Sequence, residues 1–261
     1  MSIQQNKIRA IIEKIWSKVK EPKPMSGDGI VAAIDEVYAA GEDNGNDEMW
    51  FNLLGCRNYE VKRTYAFEMF GFTPKTFRLK QSIKFIGDVA AAFQNAINLN
   101  NDPIDFAKIE KETGMMLDFS EATRTASAFW NCTAFSSLGT IDVSSAKTST
   151  YQMFFNDGSN GTRQLKYIEK FIVSENTPFN LTFQLAQINH ILFEGVIGKN
   201  GLDLSQCNLD YESVISVGNC LADKTADTSG TVWKVVLGAT NLNKLSPEEI
   251  ANATNKGWVL E

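Results

Sequence analysis

The chain has 261 residues, a formal net charge of −6 and a hydrophobic fraction of 43 %. This apolar content is too high for a disordered chain, and no run of about 18 uncharged apolar residues is present to span a membrane. The acidic balance argues against nucleic acid as the main partner. We expect one large domain, or a small segment attached to a larger domain.

Residues 1–58 predict a helical N-terminal segment. Its first helix carries an apolar stripe at helical spacing, formed by Ile8, Ile11, Ile12, Ile15, Trp16 and Val19. This stripe either covers one end of the remaining chain or packs against copies of itself in a homo-oligomer. Polar residues stand where a signal peptide has its apolar core, so no secretory signal is visible.

The cysteines and the single histidine argue against metal or cofactor chemistry. Cys56, Cys132, Cys207 and Cys220 lack metal-binding spacing, and His190 is the one histidine in the sequence. We therefore expect no metal and no cofactor. The cysteines are predicted to be small buried apolar side chains, with a disulfide pair as the alternative.

From about residue 60 the chain repeats itself. An Ala-Phe pair ends at Phe67, Phe93 and Phe129, and Met153-Phe154 stands in a similar place. A second unit matches residues 118–122 (Asp-Phe-Ser-Glu-Ala) with residues 142–146 (Asp-Val-Ser-Ser-Ala). Repeated units of this kind predict an architecture in which each unit covers the apolar face of the next.

An apolar-x-x-apolar-x-apolar frame recurs after residue 137. The last two apolar side chains of each frame lie two residues apart and so point to the same side of a strand. Stacked frames predict parallel strands that share one interior. The four matches are Leu138/Ile141/Val143, Ile168/Phe171/Val173, Ile188/Ile191/Phe193 and Val232/Val235/Leu237, and Ile83/Phe85 and Leu117/Phe119 are partial copies.

The C-terminal third contains helix signals. Asp210 is a predicted N-cap for a helix, and Ser246 opens a capping box with Pro247 at the first helical position. Trp258 and the two residues after it are apolar enough to close the core. We expect residues 239–261 to cap the repeats, as stacked repeats require.

The runs 191–205, 227–245 and 253–260 resemble BspA-like leucine-rich-repeat proteins, above all those of phages and prophages of gut bacteria. In the unit 118–133, an aromatic pair and Asn131-Cys132-Thr133 close the turn as in that family. The resemblance implies an α/β repeat fold: an irregular right-handed leucine-rich-repeat solenoid over residues 59–261, with a parallel sheet, N-terminal helices and a C-terminal helical cap. Residues 68–113 depart from the repeat pattern.

The resemblance also implies a role in binding or scaffolding. The element Val37-Tyr38-Ala39-Ala40-Gly41 is similar to the opening helices of phage tail-associated proteins. We therefore expect a virion-associated or bacterial cell-surface protein that binds a protein or a cell-surface glycan. A free bacterial adhesin is the first alternative.

The frame places two ladders of side chains on the open face of the predicted sheet. One ladder contains Thr140, Lys170, His190 and Lys234, and the other contains Asp142, Ile172, Leu192 and Val236. These eight residues are the candidate ligand-binding site. Its aliphatic members either lie beneath another element or form an apolar binding strip.

No enzyme motif is found in the sequence. Nucleophile elbows, zinc-protease motifs, Walker loops and dinucleotide-binding glycines are all missing. His190 is expected beside a lysine, with no carboxylate to orient its ring. We predict no catalytic residues. The second alternative is a polysaccharide-cleaving enzyme that uses Asp142, Glu194 and Asp203.

Overall fold

The computed structural model describes residues 60–68, 71–72, 82–98, 103–158 and 165–261. Within these ranges the protein is α/β, with parallel sheets and few helices. The strands are β1 (Glu60–Val61), β2 (Gly71–Phe72), β3 (Ile83–Asp88), β4 (Ile97–Asn98), β5 (Ile104–Asp105), β6 (Leu117–Arg124), β7 (Phe135–Asp142), β8 (Tyr167–Val173), β9 (His190–Gly195), β10 (Trp233–Val235) and β11 (Trp258–Leu260). The helices are α1 (Phe106–Thr113), α2 (Tyr211–Cys220), α3 (Ala239–Leu242) and α4 (Pro247–Asn255).

The predicted N-terminal helices, the apolar stripe from Ile8 to Val19 and Cys56 all lie outside the described residues. Among the described helices, none is long and apolar enough to cross a membrane.

The first sheet has the order β1-β3-β6, and its strands are parallel. Ile83 lies opposite Leu117. The rings of Phe85 and Phe119 stack with centroids 4.1 Å apart and planes 1° from parallel. The two partial copies of the apolar frame are therefore neighbours in space, as the sequence predicts.

The second sheet has the order β5-β7-β8-β9 and is also parallel. On β7 and β8, Leu138 lies opposite Ile168 and Ile141 opposite Phe171, and all four side chains are buried. The first two matches of the frame are thus aligned as predicted. Val143, Val173, Phe193 and Leu237 are also buried and belong to one apolar cluster, although Leu237 follows a strand of a different sheet.

The predicted register of β9 is wrong. Ile191 lies opposite Ile168, whereas the frame placed it opposite Phe171. The mismatch is present from the start of β9, because Ile188 lies before the strand and Ile191 takes the place of the first apolar residue of the frame. An irregularity in β8 then changes the offset by one residue, since three residue steps separate Ile168 from Phe171 but only two separate Ile191 from Phe193. Such a bulge leaves one extra residue on one strand and moves the pairing of everything after it.

Five short turn segments, here called arches, stack on one another: residues 64–68, 90–95, 126–131, 151–155 and 180–185. Each contributes one phenylalanine to a column of parallel rings, whose centroids are 4.9, 5.3, 5.6 and 5.3 Å apart: Phe67, Phe93, Phe129, Phe154 and Phe183. Backbone hydrogen bonds run between neighbouring arches, as from Phe93 N–H to the Ala128 carbonyl at 2.7 Å. The Ala-Phe repeat is confirmed, and Thr182-Phe183 is a fifth copy that the pattern missed because threonine replaces alanine.

The second repeated unit is not a structural repeat. Asp118 lies inside β6 opposite Lys84, whereas Asp142 ends β7 opposite Ile172. The two units share only a local hydrogen bond, in which the aspartate carboxylate accepts the N–H of the serine two residues later. An Asp-x-Ser sequence forms this local hydrogen bond at many kinds of bend. The match between the two units therefore carried no information about how the strands pair.

Helix α1 was not predicted, and it accounts for part of the irregular stretch 68–113. Asp105 caps it by accepting the N–H of Lys108. The helix lies beside β7, where the carboxylate of Glu110 accepts the Thr140 N–H at 2.8 Å. Gly139 makes this approach possible, because a Cβ there would come within 1.8 Å of Glu110 Oε2.

The C-terminal helices begin where the sequence predicts. The Asp210 carboxylate accepts the Ser213 N–H at the start of α2, and Ser246 and Glu249 form a complete capping box at the start of α4. β10 and β11 pair in parallel, and Trp258 is buried. Val232 was expected in the core but is 68 % exposed, because β10 begins only at the next residue.

The described cysteines are free thiols. Cys132 and Cys207 are buried, and Cys220 is partly buried. Burial raises the pKa of both Cys132 and Cys207 to about 12. The interpretation as small apolar side chains holds for these residues, and no disulfide joins any of the three.

Candidate functional site

The outward side chains of β7, β8 and β9 form a partly exposed surface, here called the sheet face. It comprises Thr140, Asp142, Tyr167, Lys170, Ile172, His190, Leu192 and Glu194. On its first half the predicted ladders are present, since Thr140 lies opposite Lys170 and Asp142 opposite Ile172. Six of the eight predicted site residues therefore share this face.

The second half of the ladders was predicted incorrectly. His190 lies opposite Tyr167 rather than Lys170, and Ile172 lies opposite Glu194 rather than Leu192. Both changes arise because Ile188, the first apolar residue of this match, lies before β9, and the bulge in β8 alters the displacement by only one residue. As a result the carboxylate of Glu194 lies 2.8 Å from Lys170 Nζ. This hydrogen bond raises the pKa of Lys170, so the centre of the sheet face holds an ion pair rather than an isolated cation.

His190 has the carboxylate partner that the sequence analysis did not find. Its Nδ1 is 2.6 Å from Asp210 Oδ2, and its ring stacks on Tyr167 with centroids 4.4 Å apart. The side chain points outward as expected but is only 14 % exposed, because Asp210 and Tyr167 cover its ring. The Asp210 signal in the sequence was that of a helix cap, which does not reveal that α2 starts beside β9.

The His190–Asp210 pair is a structural link between β9 and α2. Burial tends to raise the pKa of Asp210, but hydrogen bonds from Ser213 and His190 outweigh it and hold that pKa below its ordinary value. His190 Nε2 is buried and bonds to no group in the described residues. The pair therefore lacks a bonded serine or cysteine of the kind that nucleophilic catalysis requires.

Helices close both sides of the sheet. Along β9, Ser213 Oγ accepts the Ile191 N–H at 2.9 Å and Ser216 Oγ accepts the Phe193 N–H at 3.0 Å. Along β7, the carboxylate of Glu110 in α1 accepts the Thr140 N–H in the same way. Edge strands with free N–H groups recruit further strands, and here these groups are already bonded. What the sheet face offers to a ligand is therefore its side chains.

Lys234 and Val236 do not lie on the sheet face. Lys234 belongs to β10, opposite Val259 of β11, and Val236 forms an isolated bridge with Asp203. The fourth match of the frame belongs to a separate two-stranded sheet, so its outward residues point elsewhere. The frame carries no information about which sheet a strand joins.

These two residues instead line a cleft of about 440 Å³, here called the cleft. Its other lining residues are Tyr151, Asn180, Leu181, Gly201, Leu202 and Asp203. Tyr151 and Leu181 come from the fourth and fifth arches, and no sequence pattern singled them out. Their exposure follows from the stacking of the arches, which local sequence does not show.

The three carboxylates proposed for a hydrolase do not share this cleft. Asp203 lines it, whereas Asp142 and Glu194 belong to the sheet face. In the described ranges, no three His, Cys, Asp or Glu side chains are arranged to hold a metal ion.

Comparison with protein families, with curated proteins and with solved structures found no match to this chain.

Proposed function

We propose that residues 59–261 form an irregular right-handed leucine-rich-repeat solenoid similar to BspA-like proteins, and that the chain is a non-catalytic recognition or structural protein. The stacked column of five arches carries this proposal. Each arch covers the apolar face of the one before it, as the units of a repeat protein do. The parallel pairing of β7, β8 and β9 is the second support.

The proposed binding surface is the sheet face, and its ligand is a protein or a cell-surface glycan. Ile172 and Leu192 supply partly exposed aliphatic area beside the Lys170–Glu194 ion pair. A surface that combines apolar contacts with fixed polar groups is typical of recognition sites. The proposed setting is a phage or prophage tail, with the N-terminal helix as a candidate for self-association.

Binding to cells tests this proposal. We expect the purified, fluorescently labelled chain to label some strains in a panel of gut bacteria. The double variant Ile172→Asp/Leu192→Asp is expected to lose labelling, because it places charge on the apolar part of the sheet face. Val232→Asp, at an exposed residue on neither the sheet face nor the cleft, is the matched control.

Two outcomes contradict the proposal. One is the absence of labelling across the panel, and the other is equal labelling by the double variant and the wild type. Antibody labelling of phage particles and of bacterial cells separates the tail role from the adhesin alternative, since an adhesin is found on cells alone.

A further inference from the structure

The cleft lies where the column of arches ends. Tyr151 stands in the fourth arch, and Asn180 and Leu181 stand in the fifth and last arch of the described chain. After the last arch, the chain returns beside Asn180 at Gly201, whose φ of +101° is a conformation that suits glycine. The cleft therefore lies at the junction between the last arch and the C-terminal part of the chain.

One wall of the cleft is apolar and includes an unfavourable backbone conformation. The side chains of Tyr151 and Leu181 are each 43 % exposed. Leu181 has a φ of +53°, in the left-handed region that leucine rarely adopts. The residue two before the stacked phenylalanine has a positive φ in every arch, so the conformation belongs to the arch, and at Leu181 it presents an aliphatic side chain to the cleft.

Two polar side chains of the cleft, Asn180 and Asp203, can each form further hydrogen bonds with a ligand. The Asn180 side-chain amide bonds to no group among the described residues. Asp203 uses Oδ1 to accept the N–H and the hydroxyl of Ser205, which leaves Oδ2 without a partner in the described ranges. Lys234 Nζ lies 2.6 Å from a carboxylate oxygen of Glu261, so its charge is balanced.

The backbone lining the cleft is already paired. The Leu204 N–H donates to the Val236 carbonyl at 2.7 Å, and the Val236 N–H donates to the Leu202 carbonyl at 3.0 Å. An extended peptide adds to a protein mainly through free backbone groups, and this cleft does not offer them. The unbalanced carboxylate of Asp203 also disfavours anionic ligands.

We propose that the cleft binds a neutral oligosaccharide. A sugar ring places its C–H face against Tyr151 and Leu181, and its hydroxyl groups bond to the Asn180 amide and the Asp203 carboxylate. Apolar walls with a few fixed polar groups, and a volume of a few hundred Å³, are typical of small-ligand sites. This site is separate from the sheet face, so it stands or fails independently of the function proposed there.

Calorimetry on the full chain tests the proposal. The probes are neutral tetrasaccharides of glucose, of mannose and of N-acetylglucosamine, with a sulfated tetrasaccharide and tetra-alanine as comparators. We expect binding of at least one neutral probe and of neither comparator. Tyr151→Ala is expected to weaken binding about tenfold through loss of the aromatic contact. Tyr65→Ala, at an exposed tyrosine of the first arch, is expected to leave it unchanged.

Leu181→Asn separates ligand contact from folding. Asparagine adopts the left-handed conformation readily, and Asn95 and Asn131 do so in other arches. We expect the variant to melt no lower than the wild type and yet to bind the probe more weakly. The double variant Ile172→Asp/Leu192→Asp should bind the probe normally.

The proposal is overturned if no neutral probe binds, or if Tyr151→Ala binds as well as the wild type. Binding of tetra-alanine that depends on Tyr151 also overturns it, because the cleft would then be a peptide site.

Discussion

The arches and the C-terminal part satisfy their backbone groups in different ways. In the arches, alternate backbone N–H groups donate to the next arch, as from Phe129 to Met153 at 2.8 Å, and others donate within their own arch, as from Trp130 to Ser127 at 3.1 Å. In the C-terminal part, a buried side chain takes over this role. Asn241 Nδ2 donates to the carbonyls of Leu204, Cys207 and Leu237, and its Oδ1 accepts the Leu209 N–H.

The difference shows what repetition contributes to a fold. A repeated segment finds its hydrogen-bond partners in its own copies, so its side chains are free to form an apolar column. A segment without copies needs particular polar side chains to satisfy its backbone. We therefore expect the arches to be sensitive to lost volume and the C-terminal part to be sensitive to lost hydrogen bonds.

The largest expected effect is that of Phe129→Ala in the middle of the column. Phe129 is buried and stacks between Phe93 and Phe154 at 5.3 and 5.6 Å. Removing its ring leaves a cavity, and we expect the free energy of unfolding to fall by about 3–5 kcal/mol. Urea denaturation measures this change. Phe129→Leu, which retains most of the volume, should lose clearly less, and equal losses would contradict the volume argument.

The next effect is that of Asn241→Ala. The change removes the Asn241 partner of the Cys207 and Leu237 carbonyls and of the Leu209 N–H in a buried site, and each unsatisfied group costs about 1–3 kcal/mol before the structure relaxes. The Leu204 carbonyl keeps its bond from the Cys207 N–H. We expect a net loss of about 3 kcal/mol in the free energy of unfolding, measured in the same way. Asn243→Ala, at an exposed asparagine two residues later, is the control. A loss of less than about 1 kcal/mol would show that backbone rearrangement or water replaces the amide.

The smallest effect concerns Asp210, which joins α2 to β9. Asp210→Ala removes a helix N-cap and the partner of His190, and we expect a loss of about 1 kcal/mol at pH 7. The pKa of Asp210 is below its ordinary value of 3.8 in the folded chain. Its contribution is therefore complete above that value and is lost as the pH falls through the lowered pKa.

The measurement is the free energy of unfolding of wild type and variant between pH 2 and pH 7. The difference in the free energy of unfolding between wild type and variant should become smaller as the pH falls toward 2. Asp210→Asn keeps an acceptor for the Ser213 N–H, so it should be less harmful than alanine at pH 7. A gap that stays constant over this range would mean that the Asp210 charge contributes nothing.

Sequence signals that act within a few residues predicted the structure well. The caps at Asp210 and Ser246 and the buried frame on β7 and β8 are local, because they depend on neighbouring backbone atoms or on strand alternation. The Ala-Phe repeat was also detectable, because burial in the column fixes the residue type at each arch.

Signals that depend on distant parts of the chain were not predicted. β9 begins only after Ile188, so His190 and Glu194 pair three and two residues away from their expected partners, and nothing in the spacing of the frame marks this. Lys234 and Val236 match the frame but belong to another sheet. Helix α1 was missed because the stretch before it did not match the repeat. The Tyr167–His190–Asp210 contacts and the cleft also join residues that are distant in sequence, so the sequence pattern did not predict them.

The serine hydroxyls of α2 that bond to β9 bear on how several copies of this protein behave at high concentration. An open strand edge templates cross-β growth between molecules, and Ser213 and Ser216 already occupy the N–H groups that such growth needs here. Copies crowded side by side cannot merge their sheets along β9 unless α2 first detaches. At this edge, one helix thus protects the sheet against growth from molecule to molecule.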